Sequence, residues 1–520
     1  VVLKDNIKNF FLLVLFFLVL ILFIIITNAF KDSESVSTFK NKYDVLEKFV
    51  KQNLPNSKQY FSNPAKKTKI VFWHNFYPNE EKILKDIIQE FEKEYPGIEV
   101  ISIHKGYWSQ LIKSVSNALP VNKQPNLVLS YPDHIHFFSS SHKIVPLDIF
   151  IYAEKDEQYY DQTFYDDFRQ KMELKQEYDK KAHYYYLPLL KTTEVMFYDR
   201  NVFKKIHNDF KELITDEGKI KPQQLTWDDI KKISEKIKKE NFIPILVDSE
   251  SNLFIASYMQ KNEEEDKNLK YPKDKNEVKG FLENKTVHEI PIYFKELYNK
   301  GYLTTSQLST ISDNKDLFYN ERIAMFITSS RRVNSFYNNS GNIEITQTPT
   351  FNSKNTKCIS QGSNINLFYS DKQDEMLASW LFLKKLTSSE TYEYFFKQKG
   401  GISIVKPKVL KELEEKIFPK HSVVEKIKKL ETTINEIKPQ NQKVELSTEL
   451  LQYKYIQFLY NHHDKHKFFE NISFENSGVL RICLKYLFNK VLSIDTNNEN
   501  DVSKETEYLF KKFSEIIINN

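Results

Sequence analysis

The sequence predicts an α/β fold built on an open parallel sheet, preceded by an apolar segment long enough to span a membrane. Three observations carry this reading. Residues 69–101 read as strand, amphipathic helix and second strand, a βαβ unit. Phe10 to Ile26 is an unbroken apolar run. Short apolar runs that end in polar or aromatic residues recur at Pro125–Ser130 and within Phe318–Arg331.

The N-terminal run comes first. With Thr27–Phe30 added, and at about 1.5 Å per helical residue, it covers a hydrocarbon core of about 30 Å. Lys4 and Lys8 precede it, whereas Lys31 is soon followed by Asp32 and Glu34. The positive-inside rule then places the N-terminus in the cytoplasm and the globular part outside. Residues 1–30 are thus expected to be a transmembrane anchor or a signal segment. Small residues at Thr27-Asn28-Ala29 suit a cleavage site, so removal stays open. No Cys lies near the end of the run, so a lipid-modified N-terminus is not expected. Residues 31–66 are polar and read as a stalk, with a short helical stretch near Tyr43–Lys51.

The globular part is expected from Lys67. Ile70, Val71 and Phe72 form a buried strand that ends in Trp73-His74. Glu80 to Glu94 is a helix with Ile83, Ile87 and Phe91 on one face. Tyr95-Pro96-Gly97 stops it, and Ile98–Ile103 is the second parallel strand. Trp108–Ala118 is helical, Pro125–Ser130 is a strand, and Lys143–Asp148 is a turn. Residues 183–205 read as strand, polar break at Lys191–Thr193, strand and helix start. Thr226 caps a helix with Asp228 and Asp229 in its first turn. Residues 242–300 read as mostly helical, broken by Pro244, Pro272 and Pro291. Met376–Thr387 is a helix, Gly400–Ser403 a turn, and helices dominate from Lys406 onward.

Composition narrows the function. The 520 residues suffice for two or three domains, and the net charge of +5 is small and interspersed. Runs such as Lys231–Lys239 and Lys406–Lys416 are solvated helix faces rather than nucleic-acid surfaces. Cys358 and Cys483 permit one disulfide but no cysteine framework. His134, His136 and His142 form one cluster, and His462, His463 and His466 another. Neither has the ligand spacing of a known zinc pattern, so no metal and no cofactor are expected. Gly-x-Ser-x-Gly, His-Glu-x-x-His and phosphate-loop motifs are missing, which argues against an enzyme. Carboxylates are plentiful, so an extracellular glycosidase remains a minor alternative.

Taken in order, these pieces resemble the family 1 extracellular solute-binding proteins of ABC importers, the maltose- and glycerol-phosphate-binding group. Residues 70–100 match that family's strand, helix and Tyr-Pro-Gly-Ile-x-Val pattern. Pro125–Asp148, Leu187–Asp199, Leu225–Asp229, Phe318–Met325 and Ala378–Ser388 resemble its later elements. The chain departs from the pattern at Glu321, at Gln361-Gly362-Ser363 and at Gly401-Ile402-Ser403. The resemblance implies a two-lobed, type II periplasmic-binding-protein-like fold. Lobe 1 would take residues 67–190 with part of 328–405, and lobe 2 residues 191–327 with part of 406–520. It also implies a monomer that closes on a sugar or polyol phosphate and docks on ABC permease subunits. No nucleic-acid partner is expected. With its anchor, the chain would sit at the cell membrane with its globular part outside, as the substrate-binding subunit of an importer. A surface adhesin or antigen on the same scaffold is the alternative.

Ligands of open α/β sheets bind beyond the carboxyl ends of the strands, and this selects the candidates. Trp73 could stack on a sugar face and His74 donate to hydroxyl or phosphate; the alternative is packing on the following helix. Tyr107 and Trp108 open the next helix and could line the cleft or the core. Tyr131 and Asp133 follow the third strand, with a capped loop as the alternative. Lys191, Thr192 and Thr193 occupy the crossing break, with a plain bulge as the alternative. Ser329, Ser330 and Arg331 end a second-lobe strand, and Arg331 could hold a phosphate or carboxylate; a solvated pair with Arg332 is the alternative. Gly362 and Ser363 would let backbone approach ligand, or form an ordinary turn. Trp380 and Tyr184–Tyr186 read as core.

Overall fold

The computed structural model describes residues 36–139, 141, 143–154, 183–222, 224–261, 271–309, 322–335, 342–388, 391, 419–437, 440–462, 467–469, 474 and 476–519. The apolar run Phe10–Ile26, the Phe318–Glu321 segment, the Gly400–Ser403 turn, Lys406–Lys416, His142, His463 and His466 lie outside the described residues. Among the described residues, no helix is long and apolar enough to cross a membrane.

The expected βαβ unit is present. β1 (Thr68–His74) buries Ile70, Phe72 and His74 on alternate positions. α1 (Val36–Asn53) precedes it, and α2 (Pro78–Glu94) follows it with Pro78 in its first turn. Ile83, Leu84, Ile87 and Phe91 form the buried face of α2. Gly97 then turns the chain where a Cβ would stand 2.8 Å from the Phe61 carbonyl oxygen. β2 (Ile98–His104) runs parallel to β1, with His74 in register with His104. α3 (Trp108–Ala118) leads to β3 (Leu127–Ser130), parallel to the other edge of β1.

Two long strands join this half to the next. β4 (Leu187–Asp199) pairs antiparallel with β9 (Lys357–Leu367) through its first half. Its second half pairs with β7 (Ile323–Ser329) and β8 (Ile343–Gln347). β5 (Ile243–Val247) lies between β7 and β6 (Leu303–Thr305), parallel to both. The strand order is β2-β1-β3-β9-β4-β7-β5-β6, with β10 (Lys467–Phe469) added on β9.

The apolar side chains divide along the same line. One core gathers α1, α2, β1 to β3, Tyr185–Leu190, Ile365–Phe368 and the helix Gln373–Leu386. A second gathers Met196, Trp227, β5, Phe254, Phe294, Leu484 and Phe510. The handover falls between Leu190 and Val195 on β4 and between Ile359 and Ile365 on β9. The molecule is two α/β lobes joined by crossing strands.

Several expectations need correction. The helical stretch expected near Tyr43–Lys51 lies within the longer helix Val36–Asn53, but it is not a free stalk, because Tyr43, Leu46 and Val50 enter the first core at helical spacing. The Tyr43 hydroxyl also donates to the Ile144 carbonyl at 3.0 Å. Lys191–Thr193 is no break: β4 runs through it, and the register irregularity falls earlier, between Pro188 and Leu190. Residues 243–247 are a strand rather than helix, an apolar run of the kind that central parallel strands show. Pro291 lies inside the helix Lys285–Asn299 without ending it. Burial of Val287, Ile290, Phe294 and Leu297 offsets a cost of about 3 kcal/mol for an interior proline. Cys358 and Cys483 are separate buried thiols. Trp380 is core as expected, stacked on Phe150 at 5.0 Å.

Candidate functional site

A cavity of about 200 Å³ lies between the lobes and takes its lining from both. From the first lobe come residues just past the carboxyl ends of β1 and β3. Tyr77 precedes α2, Glu80 stands in its first turn, Trp108 opens α3, and Tyr131 follows β3. From the second lobe come Asp248 and Ser249 after β5, and Ser329 to Val333 at the end of β7. Leu190 and Thr192 on β4 and Gly362 and Ser363 on β9 form the wall at the crossing. Gly362 has φ of 121°, a backbone conformation that favours glycine.

The first-lobe face is aromatic. Trp108 and Tyr131 stack with ring centroids 4.2 Å apart. Burial pushes the Tyr131 hydroxyl up to about 12, so it stays a neutral donor and acceptor. Tyr77 is partly exposed, and the Arg331 guanidinium lies 4.4 Å over its ring.

The polar groups are ionic and they bridge the lobes. The Arg331 guanidinium donates to the Glu80 carboxylate across the cavity. Glu80 is 1% exposed and also accepts from the Tyr77 N–H at 2.8 Å. Burial raises its pKa, and Arg331 pulls it back toward the charged form. Its other oxygen, Oε1, and Arg331 Nε are buried without a protein partner, so each can still take a hydrogen bond from or give one to a solute. A second bridge pairs Arg481 with Asp133 at 2.9 Å. Arg481 also donates to Asn252, whose amide donates to Glu194 at 2.6 Å and to Gln361 at 2.9 Å. Glu194 is pushed up to about 8 by burial first and by nearby Asp248 second. Arg332 pairs with Asp248 within the second lobe at 3.1 Å.

The structure thus brings Tyr131, Thr192, Ser329, Arg331, Gly362 and Ser363 to one cavity. It does not bring Trp73, His74, Tyr107 or Asp133 to its lining. Trp73 packs half-buried on the first core with the Lys105 ammonium 4.0 Å over its ring. His74 is buried among the rings of Phe72, Phe76 and His104, and desolvation lowers it to about 4. Tyr107 is 77% exposed, while its neighbour Trp108 turns inward. Asp133 is committed to Arg481. Lys191 lies opposite Gly362 in the β4–β9 register, with its side chain outside the described set. Tyr77, Glu80, Asp248, Ser249 and Val333 were missed. Tyr77-Pro78 was a legible helix start, and the sheet-edge rule points to such starts rather than to the last strand residues. Asp248 and Ser249 carry no such signal while residues 243–247 read as helix rather than as a strand with a carboxyl end.

The family model described as bacterial extracellular solute-binding protein matches residues 86–419. The chain belongs to that family. It is a family of binding proteins, not of enzymes. A maltotriose-binding protein of Pyrococcus abyssi is 26% identical over 147 residues, which is 28% of this chain and 29% of that protein. The chain therefore matches less than a third of that relative's length. Among solved structures, the sugar-binding protein MalE of Xanthomonas citri aligns with a TM-score of 0.59 at 14% identity, over 87% of this chain and 100% of that one. The maltose/maltodextrin-binding domain MalE of Bdellovibrio bacteriovorus, bound to maltotriose, gives 0.57 at 14% over the same shares. UgpB of Mycobacterium tuberculosis with glycerophosphocholine gives 0.58 at 12%, over 87% and 98%. At these identities the likeness is one of fold.

Proposed function

We propose that this chain is the membrane-anchored, extracellular substrate-binding subunit of an ABC importer. It captures a carbohydrate or polyol phosphate in the interlobe cavity by hinge closure, with its lobe boundaries inside β4 and β9. The carrying observation is the pairing of an aromatic face with buried, partly unmet ionic groups in one cavity. A sugar ring has an apolar C–H face that stacks on Trp or Tyr, and a rim of hydroxyls that need buried donors and acceptors. Trp108, Tyr131 and Tyr77 suit the face; Glu80, Arg331, Ser329 and Ser363 suit the rim. Names of relatives support both ligand classes: maltotriose for two of them, and glycerophosphocholine for a third.

The two-lobe lining supports closure. A solute that touches both lobes stabilises the closed arrangement over the open one by its differential contacts. The closed form then docks, as a monomer, on the permease subunits. The apolar run Phe10–Ile26 is the anchor that would keep the binder beside them.

A thermal-shift screen of the chain from residue 36 onward tests this reading. Malto-oligosaccharides, other sugars and glycerol phosphodiesters form the panel. A ligand at about 100 times its Kd should add about 2.7 kcal/mol. A sugar or polyol-phosphate hit that Trp108→Ala loses supports the reading. No shift from either class counts against it.

A further inference from the structure

We propose that His74, Glu81 and His104 form a zinc-type metal site at the carboxyl ends of β1 and β2 in the first lobe, outside the lining of the solute cavity. His74 ends β1 and His104 ends β2, and the two are partners in the parallel register. In-register residues of adjacent strands share one face of a sheet, with backbones about 4.8 Å apart. Glu81 reaches them from the first turn of α2, with its carboxylate 2.6 Å from His104 Nδ1. One ligand atom from each of the three side chains lies within 4.8 Å of the other two. None of the three lines the interlobe cavity.

The donor set is chemically suited to zinc. Two imidazoles and a carboxylate are borderline ligands, and three protein ligands leave a tetrahedral ion one position for water. The Lys105 ammonium lies over Trp73, whose side chain leaves the strand on the face opposite to His74. His74 is 2% exposed and locked among aromatic rings, which orients its imidazole in advance. Coordination through Nε2 places the ring proton on Nδ1, where it faces the Phe76 N–H that donates to that nitrogen at 3.3 Å, so metal binding there requires the ring or the Phe76 amide to shift. Sequence spacing could not show the site, because residues 74, 81 and 104 converge only through the βαβ turn.

The test is a titration of chelator-stripped protein with zinc chloride against a chromophoric chelator. The wild type is compared with His104→Ala and Glu81→Gln, both changed at partly exposed side chains and therefore expected to fold. Circular dichroism and metal-free melting temperature check the fold. The wild type should take up one more tight zinc equivalent than His104→Ala, and Glu81→Gln should bind that zinc at least tenfold more weakly. Equal uptake and affinity in wild type and His104→Ala would overturn the proposal. Zinc bound at the other histidine clusters is common to both proteins and cancels in the comparison.

Discussion

The two walls of the cavity are built from different chemistry. The first-lobe wall presents Tyr77, Trp108 and Tyr131, while the second-lobe wall presents Ser329, Ser330, Arg331 and Asp248. Stacking tolerates sliding and works on one lobe alone, so the aromatic wall can hold a ring before closure. Hydrogen bonds and ion pairs need fixed geometry and gain strength once water leaves, so in the proposed closure the polar wall would act as the lobes meet. Under the proposed function, the division would assign affinity to one wall and closure to the other.

The largest expected effect comes from the group that ties the walls together. Arg331→Ala leaves Glu80 buried and unpaired, which costs about 3–5 kcal/mol when the geometry cannot relax. Here opening the lobes lets water reach Glu80. Small-angle scattering should therefore show a larger radius of gyration, with a lowered melting temperature. Adding Glu80→Gln should restore much of both, and a double variant as impaired as the single one would sink the interpretation.

Next comes the aromatic wall. Trp108→Ala should weaken sugar binding by about 10–100-fold, or about 1.4–2.8 kcal/mol, in calorimetric titration. It should leave the radius of gyration of the unliganded protein unchanged. A change in shape without a change in affinity would reverse the division of labour.

A pH profile probes the crossing itself. Glu194 has its carboxyl raised from 4.5 to about 8, so the folded chain holds a proton that the unfolded chain releases between those values. The contribution of this group is then greatest below about 4.5 and falls as pH rises toward 8, by at most about 1.4 kcal/mol per pH unit, while His74 and His134, lowered from 6.5 to about 4 and about 3, contribute the opposite slope up to about 6.5. Urea melts of wild type and Glu194→Gln across that range isolate the Glu194 contribution, and the stability of wild type relative to the variant should fall as pH rises toward 8. A difference that stays flat or rises over that range would contradict the assignment to Glu194. The smallest effect is expected for Ser329→Ala, about 0.5–1.5 kcal/mol in ligand binding for one hydrogen bond, read by the same calorimetry.

How far the sequence foretold this depends on the range of the interaction. The β1–α2–β2 unit was legible because its signals are local: Ile83, Ile87 and Phe91 at helical spacing, then Pro96-Gly97. α1 is legible only as a short helical stretch within a stalk, because most of its residues are polar and Tyr43, Leu46, Phe49 and Val50 carry its packing face. β5 is hidden by Pro244, which stands at its second residue, before the ladder with β6 begins at Ile245, where a strand can accept a missing N–H. The site was legible to within a turn. Trp73-His74 and Tyr107 lie next to groups that do line the cavity, because side-chain direction at a strand end or helix start depends on backbone that local pattern leaves open. The Glu80–Arg331 and Asp133–Arg481 bridges join residues hundreds of positions apart, and no local signal announces them.

The most direct measurement titrates wild type, Trp108→Ala and Trp73→Ala with maltotriose, or with whichever panel sugar gives the largest thermal shift. The interlobe cavity as the solute site predicts that Trp108→Ala weakens binding at least tenfold while Trp73→Ala leaves it within twofold. Loss in Trp73→Ala with retention in Trp108→Ala would place the solute elsewhere and contradict the account.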